Sequence, residues 1–365
     1  MRVSGFKKNK FKAFGMVAST LLASMAVLSA CGAGETGSTE DAGEAAAGSE
    51  NVELVVTSFG GTYDEVFNKY VVEPFEAANP GVTVTLAPYT GVTKLSQGGG
   101  AGIDIVQLDD FDLIDAGQAG LLSELKDSEF EHWADLYPQA ILKGSDEATY
   151  GLVNVFGAWG IAYNPDMIAK PESWNDLWAP ELKGKVALMS QWIPDILLTA
   201  EAVGASADNM QPVWDAFKEI TPSVAQYYSS FSAPESLFGT GQIAAAAWFD
   251  GRALAMKQSG SKMEFVIPQE GGVLIRSGLG VMKNSPNQEM AKKLIDFTLT
   301  TEAQQGFAAE LFYGPTNQTV ELSADLQGQV VYGEESLAKL IAPDWTTILP
   351  QREDWLTKWT EATTQ

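Results

Sequence analysis

The sequence predicts an α/β protein with a mostly parallel sheet flanked by helices. Three observations carry this. Short β-branched runs alternate with helical periods. The runs end in Gly, Pro or Asn clusters. The alternation occurs twice along the 365 residues, which is length enough for two domains rather than one.

The first unit begins with "VELVVTSF" (52–59), a buried-strand pattern closed by Gly60-Gly61. In the next segment Val66, Phe67, Tyr70, Val71 and Phe75 recur at three- and four-residue steps. That period predicts a helix ending before Asn79-Pro80-Gly81. "VTVTLAPY" and "IDIVQL" read as the second and third strands, and "FDLIDAGQAGLL" as a helix. In such sheets ligands lie beyond the carboxyl ends of strands, which here means the loops Ser58–Tyr63 and Asp109–Asp112. The Gly/aromatic run "YGLVNVFGAWGIAYNPD" is a further strand. "SWNDLWAPELKGKVALM" gives a short helix, a turn and a strand. The second alternating unit runs to "AAAAWFDGRALAM" and "EFVIP". A pair of amphipathic helices follows in "NQEMAKKLIDFTLTTEAQQGFAAEL". No internal repeat is visible.

The amino terminus reads as a processing signal. Arg2, Lys7, Lys8, Lys10 and Lys12 precede an apolar stretch from about Phe14 to Leu28. That stretch is short and wrongly flanked for a membrane span. Leu28-Ser29-Ala30-Cys31 resembles a bacterial lipobox, which implies cleavage after residue 30 and diacylation of Cys31, the only cysteine. Residues 32–50 hold no aliphatic side chain larger than Ala and read as a disordered acidic tether. The expected location is therefore extracytoplasmic and lipid-anchored.

Charge narrows the partners. The chain has 47 acids against 23 bases; without the five bases of the signal, 18 remain and the net charge is −29. Such a surface repels nucleic acid and anionic lipid. One His and one Cys argue against a His/Cys metal site. They also leave no Ser/His/Asp set, because His132 stands alone in "DSEFEHWADLY". "QGGGAG" (97–102) lacks the lysine of a phosphate loop. Adjacent carboxylates such as Asp109-Asp110 are weak evidence for glycosidase chemistry among so many acids. The expectation is a binding protein with no cofactor and no metal. Trp159, Trp192, Trp248, Tyr63 and Tyr313 lie in or near Gly- or Pro-containing turns, where aromatic rings wall ligand pockets.

"AWGIAYNPDMIAKPESWNDLWAPELKGKVAL" resembles the extracellular solute-binding proteins of ABC importers, nearest to their polyamine-type branch. So do "IPQEGGVLIRSGLGVMKNSPNQEMAKKLIDFTLTTEAQQGFA" and "YGPTN". With the two opening segments, the likeness covers most of residues 52–318. It implies the type II two-lobed periplasmic-binding fold, closing on a solute as a hinged clamp and delivering it to a permease as a monomer. The implied boundaries are 51–156 with 276–318 for lobe 1, and 157–275 with 319–365 for lobe 2. The family's pocket positions match Phe59, Gly61, Tyr63, Asp109, Asp110, Phe111, Trp248 and Tyr313.

Departures from that branch are equally informative. Its carboxylates after the "KGKVAL" strand become Ser190, Gln191 and Pro194 here, with Trp192 between them. Its aspartate after the Glu-Gly-Gly strand becomes Ser277, beside Arg276. A buried cationic ligand needs carboxylates, which Asp109 and Asp250 would have to supply. Ferric binders use a Tyr-Tyr pair where Trp248-Phe249 stands, and "QYYSS" lies in another element. The solute is thus expected to be polyamine-like or an amphipathic molecule bearing a carboxylate, the carboxylate held by Arg276 and Arg252. A binding-only sensor or adhesin of the same fold, and an extracellular hydrolase, are the competing classes.

Overall fold

The computed structural model describes residues 51–364; the signal, Cys31 and the tether lie outside the described residues. The strands are β1 (Val52–Ser58), β2 (Val82–Pro88), β3 (Ile105–Asp109), β4 (Ile141–Lys143), β5 (Thr149–Tyr163), β6 (Val186–Met189), β7 (Val224–Tyr228), β8 (Ala245–Phe249), β9 (Glu264–Val266), β10 (Gly272–Val281) and β11 (Leu340–Ile341). They form one unclosed sheet in the order β2-β1-β3-β10-β5-β8-β6-β7. Its two outer parts are parallel: β2-β1-β3 on one side and β8-β6-β7 on the other. Antiparallel pairing is confined to contacts of β5 and β10.

Those two strands join the halves. All fifteen residues of β5 are buried. Its start pairs with β4 and its end, from Trp159 to Tyr163, with β8. β10 runs the other way: Val273–Leu279 pair with β5 and Ser277–Val281 with β3 on its other edge. The register of β10 on β5 shifts between Ser277 and Gly278. Gly278 is required there, since a Cβ would sit 2.5 Å from the Leu152 carbonyl.

The helices follow the apolar periods. Thr62–Phe67 continues through a π turn, Asn68–Val72, into Glu73–Ala78, burying Val66, Phe67, Val71 and Phe75 on one stripe. It stops at Asn79, before Gly81 at φ 95°. Thr300 caps the second helix of the later pair, Thr301–Leu311, by accepting from the Ala303 N–H. Four helices start where β1, β3, β6 and β8 end: Thr62–Phe67, Asp110–Gln118, Ile193–Val203 and Asp250–Gln258. The amino ends of the first, second and fourth border the groove between the halves, and that of Ile193–Val203 borders a smaller chamber beside it.

Most buried apolar side chains form one continuous cluster, with a satellite around Phe312, Val320, Leu322 and Val330. The segment after residue 319 touches both halves. Trp359 packs on Tyr227 at 5.0 Å, and Trp345 packs on Phe111 at 5.2 Å. It therefore does not belong to the second half alone, since Trp345 meets the Asp110–Gln118 helix end of the first half.

Candidate ligand cleft

The groove between the halves encloses about 630 Å³. Its floor is Gly157 of β5 with Ile275 and Ser277 of β10; Phe59 and Tyr63 line one wall, Phe231 and Phe249 the other, and Tyr313 stands beside Gly251. Gly61, at φ 61°, turns the first loop so that Phe59 and Tyr63 share the wall. Their rings meet edge to face at 5.3 Å. The Tyr63 hydroxyl donates to Gln107 Oε1 at 3.0 Å and accepts from Asn154 Nδ2 at 3.1 Å. Burial holds its pKa far above the ordinary value, so Tyr63 offers the cleft a neutral ring face.

Asp109 supplies the charge. Its carboxylate lines the cleft and accepts from Ser277 Oγ at 2.6 Å. Burial pushes its pKa up to about 7, against the Ser277 hydrogen bond and with help from the neighbouring Asp110 charge. No cation balances it among the described residues. Asp250 is its counterpart in the second half. It is 3% exposed, accepts from the Gly251 N–H at 2.7 Å, and is pushed up to about 7 by burial against backbone hydrogen bonds. A Cβ on Gly157 would lie 3.3 Å from Asp250 Oδ1; the missing side chain leaves that carboxylate close behind the floor.

Both arginines expected to hold an anion are already paired. Arg276 Nε donates to Asp110 Oδ2 at 2.6 Å, and its NH2 group donates to the Pro343 carbonyl at 2.8 Å. Arg252 pairs with Glu235 at 3.1 Å, both partly exposed at the cleft edge. Trp248 is a second correction. It is fully buried, donates its indole N–H to the Phe231 carbonyl at 2.8 Å and packs on Phe238. Successive strand residues point to opposite faces, so Phe249 reaches the cleft and Trp248 does not.

The remaining expected residues separate by place. Asp110, Phe111, Gln191 and Trp192 line a smaller chamber, adjoining the cleft at Asp109 and Ile275. Gln191, at φ 53°, donates from Nε2 to Thr360 Oγ1 at 3.0 Å. Phe231, Phe249, Glu235 and Gly157 were missed from sequence. Phe231 carried a signal: it is an aromatic in "SSFSAPES", a Ser/Pro turn of the kind that singled out the other rings.

Two α/β halves sharing two crossing strands, with an aromatic groove at the hinge, define a two-lobed solute-binding fold. The chain belongs to the bacterial extracellular solute-binding protein family, whose model matches residues 70–330. Among curated relatives, the spermidine/putrescine-binding periplasmic protein of Escherichia coli K12 is 26% identical over 206 residues, covering 54% of this chain and 59% of that protein. The chain thus matches less than two thirds of that relative's length. A gamma-aminobutyric acid-binding protein of Pseudomonas aeruginosa is 24% identical over 290 residues, covering 75% of this chain and 80% of that one. A solved structure of an ABC transporter protein from Clostridium perfringens superposes with a TM-score of 0.73 at 26% identity, covering 85% of this chain and all of that one.

Proposed function

We propose that the protein is the solute receptor of an ABC importer, anchored outside the cytoplasmic membrane through lipidated Cys31. It captures a small amine-bearing organic solute as a monomer and passes it to the permease. The observation that carries this reading is Asp109: a half-buried carboxylate without a cation, set in a groove walled by aromatic rings. A primary ammonium supplies the missing charge, and its methylenes lie against Phe59, Tyr63, Phe249 and Tyr313. Aromatic faces attract cations as well as alkyl chains. The family membership and the polyamine and gamma-aminobutyric acid relatives support the same class. Closure of the halves about β5 and β10 is the signal the permease reads in this account.

The test is a thermal-shift and calorimetric screen of diamines, ω-amino acids, simple carboxylates and sugars. Binding to the native state raises stability by about 2.7 kcal/mol at a hundredfold excess over Kd. Amines should stabilise the protein, and Asp109→Asn should abolish the effect. Hits confined to sugars or amine-free acids would overturn the reading.

A further inference from the structure

Phe59 lines the cleft at 39% exposure, more open than the other rings of the walls. It follows β1 directly, and Gly60 and Gly61 come next at φ 83° and 61°, with open space where a Cβ would stand. The backbone there is tied down, since the Gly60 N–H donates to Asp64 Oδ1 at 3.0 Å. The ring is held differently. Among the described residues it meets two others: Tyr63 edge to face at 5.3 Å, and Tyr89 in a stack at 5.8 Å with planes 21° apart. Strand register brings Tyr89 there. β1 and β2 run parallel with Ser58 opposite Pro88, so the next residues, Phe59 and Tyr89, leave the sheet side by side. Tyr89 stands outside the groove and is itself 43% exposed. Its hydroxyl donates to Asp112 Oδ2 at 3.1 Å, in the first turn of the helix Asp110–Gln118. Burial and the charges of Asp112 and Asp109 hold that phenol above its ordinary pKa, so it stays a donor. Rings this exposed bury little apolar area, so the stack matters for where it holds Phe59 rather than for the core.

We propose that Tyr89 is a positioning residue for the solute: anchored by Asp112, it holds the Phe59 ring against the bound molecule without touching that molecule itself. The inference rests on the amine-receptor reading above and adds a residue from beyond the cleft. The chain of contact runs from Asp112 to Tyr89 by a hydrogen bond, from Tyr89 to Phe59 by stacking, and from Phe59 to the groove. A ring already held in place gives up little rotamer freedom when the ligand arrives, whereas a loose ring must be ordered at each capture. Asp109 takes its position from Ser277 instead, so the ammonium contact does not depend on Tyr89.

The experiment is a double-mutant cycle read by calorimetry on the folded, soluble chain, with 1,4-diaminobutane and 1,5-diaminopentane as probes. Tyr89→Leu should weaken binding about fivefold, as expected for loss of an aromatic pair. Tyr89→Phe keeps the ring and loses the hydroxyl, and should weaken binding only about twofold. In a Phe59→Leu background the same Tyr89 substitutions should have no further effect, because Tyr89 acts through that ring. Melting temperatures check that the variants fold; if Tyr89→Leu does not, the cycle with Tyr89→Phe decides. Wild-type affinity in Tyr89→Leu, or a loss of the same size with and without Phe59, overturns the positioning role and leaves the amine reading standing. Failure of both diamines to bind the wild type removes the amine reading and this inference with it.

Discussion

Arg276 Nε lies 2.6 Å from Asp110 Oδ2, with both side chains about nine-tenths buried or more. The pair ties β10 to the helix that starts at the end of β3, one residue before β10 begins to pair with β3 and its register on β5 shifts. Removing one member of a buried pair strands the other charge, at a cost of about 3–5 kcal/mol. Arg276→Ala should therefore lower stability by about that amount in urea titrations, whether or not ligand is present. The double variant Arg276→Met/Asp110→Leu should recover much of the loss. If Arg276→Ala unfolds like the wild type and only ligand affinity drops, the arginine serves the ligand instead.

How legible this was depends on range. The alternation of strands and helices, and the Gly-bounded apolar run 272–281, are local patterns, and local patterns set the elements. Arg276 stood out as a charge within that run, but its partner is 166 positions away in sequence. No periodicity encodes such a distance. Asp109 and Ser277 were named as separate pocket positions, while their hydrogen bond arises only when β10 pairs with β3. The choice between Trp248 and Phe249 turned on strand phase. A one-residue error in phase exchanges the faces, and "AAAAWF" has no polar residue to fix it.

That exchange gives a direct test. Trp248→Ala removes a fully buried ring and its bond to the Phe231 carbonyl, and should cost about 3–5 kcal/mol of stability. Phe249 meets Trp159 at 4.7 Å and Phe231 at 5.0 Å on the cleft side. Phe249→Leu should weaken amine binding about tenfold, with a smaller loss of stability, since a ring face contributes about 0.5–2 kcal/mol to a cation. Equal affinity in Phe249→Leu and wild type would take Phe249 off the ligand.

The anchor is tested separately from the cleft. Cys31 stands where the Leu-Ser-Ala-Cys motif ends. A single acyl chain gives only marginal membrane binding, whereas two chains hold stably. Native protein expressed in a lipidating host should partition into detergent, and Cys31→Ser should move to the aqueous phase with unchanged solute affinity. Mass spectrometry should find the wild-type mature chain beginning at a diacylated Cys31. An unmodified thiol on the mature protein would refute the anchor.

The raised pKa of Asp109 makes affinity and stability move in opposite directions with pH. Burial favours its protonated form, with a folded pKa of about 7 against 3.8 unfolded. Its contribution to stability is therefore full below the unfolded pKa and is lost as pH rises through about 7. Asp195 and Asp250, also pushed to about 7 by burial, add to the same loss. Amine binding needs the ionised carboxylate, so affinity should rise over the same window. The groups around Asp109 do not reverse this. Asp110 is paired with Arg276, burial raises the pKa of Asp112, Tyr63 and Tyr313, and Ser277 only donates. For one group with a pKa near 7, Kd for a diamine should tighten about tenfold between pH 6 and pH 8, while the ligand-free melting temperature falls. Asp109→Asn should bind weakly and lose most of that slope. A Kd that stays flat from pH 6 to pH 8 in the wild type would mean that Asp109 does not carry the ammonium.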